Sequence, residues 1–487
     1  MTDSETEPAA ERSRAAAKRG RRRTDWSLRV FVLSVALIAF LYGAVSTELG
    51  WPPSNKIRHA IAALKAYNMF EDGTFAASTN AIDPHAKPGP FFSTLDSAAG
   101  KELLLVTGGP FQDASNCPRF GCLAWIVDRS GKVLHSWPLP LDTLFEGVKG
   151  FKGDVRLQNF YPIGLGLLHD GSLVATFHSR NTYPYVAGIA RIGWDGKVMW
   201  KQIDGAHHWI DIGPDERIYA PIQIRRPLDN IDGNAVQLRC PTVVYDEGVR
   251  IYRPDGSVER TLLMTDLFVR NGYPGFIYST RDDCDPIHLN SVDVATADIA
   301  SHIPGAAAGD VLVSLREVSA VMLVDPVSGH IKRVVAGRTA AQHSARFLPD
   351  GTVLVFDNLG GQTVLGGSRI VRLNLVDGSA APVFPTPASK PMLPFYSTDG
   401  GTVTPSADGR RAIISSKDES RAFEIDIATG KALWTMKRVM DIAPFMNKDA
   451  PVAGYFKAYG TYYLTDEQVC ALPIGPSQLR CAKPAAP

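Results

Sequence analysis

The chain has 487 residues, 45% of them hydrophobic, and Lys+Arg 51 against Asp+Glu 50 leaves a formal net charge of +1. That length can bury one large core or two ordinary ones. The balanced charge carries none of the basic excess of a nucleic-acid-binding protein, so no nucleic-acid partner is expected.

The charge is nevertheless unevenly placed. Lys18, Arg19, Arg21, Arg22 and Arg23 cluster just ahead of a charge-free run from Val30 to Thr47. The run is about the minimum length for a membrane span. Basic residues on its N-terminal side orient the N-terminus to the cytoplasm and the remainder to the outside. The reading is a cytoplasmic tail over 1–29, a single-pass transmembrane helix over 30–47 and an extracytoplasmic remainder. A cleaved signal peptide and a buried core helix are the alternatives: no clean small-x-small site follows the run, and a core helix leaves the arginines unexplained. From Ile57 to Phe70 helical apolar spacing predicts an amphipathic stem, and a Pro- and Gly-containing segment then reads as a linker, giving a stem and linker over 48–94.

Six cysteines all lie beyond the span, which fits an oxidising compartment. Cys117 with Cys122, Cys240 with Cys284, and Cys470 with Cys481 are the natural sequence pairs.

From residue 95 to 487 the chain repeats a plan of two hairpins. One set of turns, at Ala99-Gly100, Asp170-Gly171, Asp215-Glu216, Gly309-Asp310, Asp350-Gly351 and Asp408-Gly409, follows a predicted inner strand. The other set precedes an outer strand, in DRSGKVLHSW, WDGKVMW, RPDGSVERTL, DPVSGHIKRVV, NLVDGSAAPVF and DIATGKALW. The sets interleave one to one, so the expected fold class is all-β: a six-bladed β-propeller, with a C-terminal extension from Ala453 that either closes the ring or packs on it. A β-sandwich has hairpins too, but not this repeated pairing of turn types.

The register then points to a site. The residue seven positions after the first-turn glycine, or its equivalent, is Thr107, His178, Gln223, Arg316, Asn358 and Ser416 in successive units, and all are polar. Equivalent strand ends meet around a propeller axis, so this set is expected at one end of the central channel. On the facing strands His208 and His343 each lie seven residues ahead of a turn aspartate, and His288 begins the corresponding strand of the blade between them. Around Pro349-Asp350-Gly351 an antiparallel hairpin sets His343 opposite Asn358, roughly 23 Å from the turn at about 3.3 Å per residue. Histidines converging beside an arginine suit transfer of an anionic group, with neutral imidazole as nucleophile and fixed positive charge on the oxygens. No GxxxxGK[ST], HExxH or GxSxG stretch occurs, which removes the usual nucleotide-phosphate, zinc-protease and α/β-hydrolase signatures. The histidines alone leave zinc open, but a neighbouring arginine would repel the ion, so no metal or cofactor is expected. Tyr161, Tyr183, Tyr185 and Phe395 are candidate aromatic walls.

The blocks PIHLNSVDV, VLVSLREVS, QHSARFLPDGTVLVFDN, SRIVRLNL and FEIDIATGKALW stand in the order of the arylsulfotransferase family, and the resemblance covers most of residues 160–435. Members move a sulfuryl group from a phenolic sulfate ester to a phenol without a nucleotide donor. The resemblance implies small-molecule aryl sulfate and phenol as partners, a bacterial inner-membrane protein with its propeller in the periplasm or cell exterior, and His343 as the residue that becomes sulfated. It implies active-site roles for His288 and Arg316 and for His208, whose block has Trp209 where the family usually has aspartate. His207 offers a competing imidazole. Asn358, His178, Asn290 and His207 are the expected substrate-binding residues. The rival readings are a non-catalytic propeller that binds a partner and a metal-dependent hydrolase.

Overall fold

The computed structural model describes residues 26–49, 51–53, 57, 80–82, 89–109, 116–117, 119–180, 182–226, 244–279, 285–361, 367–390, 395–419, 421–441, 453–456 and 459–473. The chain divides into two units, residues 1–62 and 63–487. The first holds a helix over Trp26–Glu48, long and apolar enough to cross a membrane. It extends past both ends of the apolar run, because Trp26 to Arg29 carry no helix breaker. The stem expected after Ile57 and the cysteines at 240, 284 and 481 lie outside the described residues.

The second unit is a six-bladed β-propeller. Blades two to five are four-stranded antiparallel sheets: 160–167, 173–179, 186–192 and 198–202; 211–212, 218–226, 244–252 and 258–263; 289–294, 311–315, 320–324 and 331–336; then 343–347, 353–361, 367–373 and 380–384. Each inner pair turns at a first-set turn and each outer pair at a second-set turn, as the spacing predicts. Buried apolar positions of facing blades interlock between the sheets, as with Val321, Leu323, Val353 and Val355.

The first blade is assembled from both ends of the chain. Its second to fourth strands are Leu104–Thr107, Cys122–Val127 and Val133–Pro138, while its innermost strand is Thr461–Tyr463, pairing Thr461 with Val106 and Tyr463 with Leu104. The C-terminal segment therefore closes the ring. Ala99-Gly100 accordingly does not join the first two strands of a blade; it leads into the second strand of this composite sheet. At the seam Glu424 of blade six is wholly buried and binds Arg129 at 2.5 Å, Arg411 at 3.2 Å, the hydroxyl of Tyr463 at 2.7 Å and the amide of Gly100 at 2.9 Å. Blade six (402–405, 411–416, 421–426 and 432–441) is widened by Gly89–Thr94 and Ala453–Phe456 on its last strand, and Asn80–Ile82 pairs with Ala453–Phe456. Strand structure thus begins inside the segment expected as linker.

One predicted pairing is corrected. His343 lies opposite Phe356, not Asn358: the turn closes at Leu348 and Thr352, which moves the pairing by one residue, and an extra residue between His343 and Arg346, where Ser344 takes φ 51°, moves it by another. The bulge displaces the backbone register. Cys117 and Cys122 form a disulfide, as expected, and Cys470 is also disulfide-bonded.

Candidate active site

The innermost strands start at one end of the axis, and the second strands finish there. Bulges interrupt the starts of three inner strands, between Pro162 and Leu165, Leu289 and Ser291, and His343 and Arg346. His208 and His288 adopt φ 51° and 52°, the left-handed region that steric clashes make uncommon for residues other than glycine. These irregularities bring imidazoles together. Ring centroids are 4.5 Å apart for His178 and His208, 5.3 Å for His208 and His288, 6.4 Å for His208 and His343, and 6.5 Å for His288 and His343. His207 adds a fifth ring 4.7 Å from His208, the two touching through their Nδ1 atoms.

The tautomer of His343 follows from its neighbours. Asn358 donates through Nδ2 to the carbonyls of Ser397 at 2.9 Å and Gly400 at 2.7 Å, so its Oδ1 is left to accept. That oxygen lies 2.7 Å from His343 Nδ1, which therefore carries the proton. Nε2 keeps the lone pair and accepts from the Gly400 amide at 3.3 Å. Burial pushes His343 down to about 3, against the Asn358 bond, with the charge of Arg316 adding to the shift. Burial also lowers His178 to about 3 and holds His207 and His208 well below the ordinary range. At neutral pH these four rings are uncharged.

His288 has a different setting. Its Nδ1 lies 2.6 Å from Asp285 Oδ2, and Tyr185 stacks beside the ring at 6.4 Å between centroids and 17° between planes. Glu247, wholly buried nearby, accepts from the Leu289 amide and from Gln223 Nε2 at 3.1 Å. Burial raises its carboxyl well above the usual range, with Asp285's charge the next cause. The Arg316 amide binds the His288 carbonyl at 3.1 Å, and its guanidinium Nη1 is paired with Glu317.

Trp209 is a buried wall. Its ring meets His343 edge-on at 5.8 Å and 90°, and its indole nitrogen donates to the Tyr459 carbonyl at 3.0 Å. Its backbone bridges to the strand carrying Asn290, whose side-chain amide binds the Gln342 carbonyl at 2.8 Å. Asn290 therefore fixes the residue ahead of His343. Tyr161 lies 6.0 Å from His178, with the Arg180 guanidinium 4.6 Å from its ring centroid. Phe395 is no wall of the site: it packs in the core against Phe356, Phe384 and Phe423. The side chain of Tyr183 lies outside the described residues. Of the polar set, His178, Gln223 and Asn358 join this cluster, whereas Ser416 bonds Glu419 at 2.7 Å.

Sequence spacing missed Asp285, Glu247 and Gly400. Asp285 was visible only as an acid three residues before His288, a spacing without meaning in an irregular loop. By distance, three groups could hold a metal ion: His178, His207 and His208; His208, His288 and His343; and Glu247, Asp285 and His288, each with ligand atoms within 4.8 Å of one another. A cavity of about 620 Å³ lies where the innermost strands end, lined among others by Arg346, Asp211, Asp293 and Phe347 and by none of the predicted site residues. There burial, with Asp293's charge, pushes Asp211 up to about 7.

Fold and site together define a six-bladed propeller with a buried histidine cluster at one end of its axis. Residues 257–439 match the family model described as Arylsulfotransferase (ASST), and this part of the chain is similar to that family. The matched span holds His288, Asn290, Arg316, His343 and Asn358; His178, His207 and His208 precede it. The match supports a sulfotransferase activity in general terms. No curated protein matched the chain in a sequence search. Similar solved structures include a protein of unknown function from Bacteroides caccae (14% identity, TM-score 0.42, covering 69% of this chain and 93% of that one). A nidogen/laminin complex has 12% identity, TM-score 0.40 and coverages of 74% and 98%. Virginiamycin B lyase from Staphylococcus aureus has 12% identity, TM-score 0.36 and coverages of 76% and 99%. At such scores none bears on function.

Proposed function

We propose that the protein is a membrane-anchored extracytoplasmic aryl-sulfate sulfotransferase that works through a sulfated His343. The observation that carries the reading is the fixed tautomer of His343: a buried, uncharged imidazole that keeps its lone pair on Nε2, beside the Gly400 amide, while Asn358 holds the proton on Nδ1.

In the first half-reaction Nε2 attacks the sulfur of an aryl sulfate, an N–S bond forms and the S–O(aryl) bond breaks. His288, Arg316 and His208 surround the sulfuryl oxygens; His208 acts as a neutral donor, because burial keeps it uncharged. His207 orients His208 through the Nδ1 contact, and Asn290 holds the Gln342 backbone ahead of the nucleophile. His178 and Trp209 shape the wall. In the second half-reaction a phenol oxygen attacks the sulfur and His343 leaves. No nucleotide is used in either half. The N-terminal helix serves as the anchor, and the cysteine placement agrees with an oxidising compartment such as the periplasm.

The metal-dependent alternative has in its favour the imidazole nitrogens of His208, His288 and His343 within 4.8 Å of one another. Arg316's charge acting on His343 favours an anionic group there instead. Exposure to 4-nitrophenyl sulfate tests the proposal: a sulfuryl adduct on the wild-type chain, absent in His343→Ala, is expected, and turnover that needs stoichiometric metal and leaves no adduct contradicts it.

A further inference from the structure

Sulfuryl transfer between phenols needs a proton donor in one direction and an acceptor in the other. A phenol has an ordinary pKa near about 10, so its departure as a bare phenolate at neutral pH is slow. Four of the five clustered rings, those of His178, His207, His208 and His343, are held uncharged by burial and offer no ready acid.

Resting on the function proposed above, we infer that His288 is the proton carrier of both half-reactions and that Asp285 is the positioning residue that fixes its ring and keeps its transferable proton on Nε2. Three observations carry this. Asp285 Oδ2 engages Nδ1 at 2.6 Å, which leaves the opposite ring nitrogen for substrate. A nitrogen of the same ring lies within 4.8 Å of nitrogens on His208 and His343, where the reacting sulfate would sit. Its side chain is 17% exposed, as is that of Asp285, whereas His207 is wholly buried. A proton can therefore reach it.

The surroundings hold this pair rather than merely containing it. Tyr185 lies beside the ring, 6.4 Å away between centroids and 17° from parallel. Glu247 anchors the chain just after His288 by accepting from the Leu289 amide, with Gln223 on its other oxygen. Burial raises the Glu247 carboxyl above its ordinary range, which disfavours a second negative charge beside Asp285.

The step balances. As the S–O(aryl) bond breaks, the aryl oxygen takes the Nε2 proton of the His288 imidazolium, and His343 bears the sulfuryl group. The incoming phenol then returns its proton to His288 Nε2 as its oxygen forms the new S–O bond and the N–S bond breaks. No outside acid or co-reactant is consumed over the cycle.

The test measures adduct formation and phenol release by the full-length chain with aryl sulfates of increasing phenol basicity, from 4-nitrophenyl to phenyl sulfate, for wild type, Asp285→Asn, Asp285→Glu and His288→Gln. Thermal melts establish that each variant is folded. Loss in Asp285→Asn and His288→Gln should grow along the series, to about 100-fold or more for phenyl sulfate relative to the nitrophenyl ester, with Asp285→Glu recovering part of it. An equal loss across the series, or none, in either folded variant overturns the assignment. Absence of any adduct in the wild type would instead overturn the parent proposal, so the two failures are distinguishable.

Discussion

At the scale of single residues, the site depends on which nitrogen of His343 is bare. Asn358 decides that through two donated bonds and one accepted bond, so its two amide atoms are not interchangeable. Asn358→Asp places an acceptor where two carbonyls need a donor; it should cost about 1–3 kcal/mol in stability from the carbonyls left without partners, measurable by denaturant unfolding. It should also slow adduct formation. Trp209, which stands where the resemblance leads one to expect aspartate, packs edge-on with the ring of His343, the proposed nucleophile. Trp209→Ala should lower stability by about 3–5 kcal/mol and release the ring, whereas Trp209→Phe should retain most of the adduct rate.

At the scale of elements, the β-bulges at the starts of inner strands do what regular strands cannot. A regular hairpin sends alternate side chains to opposite faces, and the bulge at Ser344 shifts His343 out of that alternation while its ring still reaches Asn358. Gly164 shows how close the neighbouring blade comes, since a Cβ there would lie 2.2 Å from the His208 carbonyl. The same carbonyl accepts from Thr176 Oγ1 at 2.5 Å. Gly164→Ala should displace the His207–His208 segment, seen as reduced turnover with a lowered melting temperature. The His343 to Asn358 hairpin was legible because Pro349-Asp350-Gly351 marks its turn, yet its register was not: nothing in HSARF announces a left-handed serine. His288 and Arg316 were expected from family blocks and spacing. Asp285 was not, because a loop residue's place depends on contacts rather than on period.

At the scale of the whole molecule, twelve turn signals made the propeller readable in the amino-acid sequence. Ring closure was not readable, since pairing Thr461–Tyr463 with Leu104–Thr107 joins strands from opposite ends of the chain. Glu424 makes that seam sensitive: Glu424→Ala leaves Arg129 and Arg411 without their buried carboxylate and should cost about 3–5 kcal/mol. Stability should also depend on pH through the buried imidazoles. Their native values are depressed, so the unfolded chain takes up protons first and stability falls as pH drops from about 6.5 toward 3. Each ring adds up to about 1.4 kcal/mol per pH unit in that window. Melting temperatures across it should decline less steeply in His178→Gln.

The central claim is a covalent histidine intermediate, and intact-mass spectrometry of the full-length chain after brief exposure to 4-nitrophenyl sulfate tests it most directly. The account predicts a gain of about 80 Da, one sulfuryl group, that maps to His343, disappears on adding phenol and survives prior treatment with a chelator. Phenol release without any adduct, or an adduct that persists in His343→Ala, would contradict it.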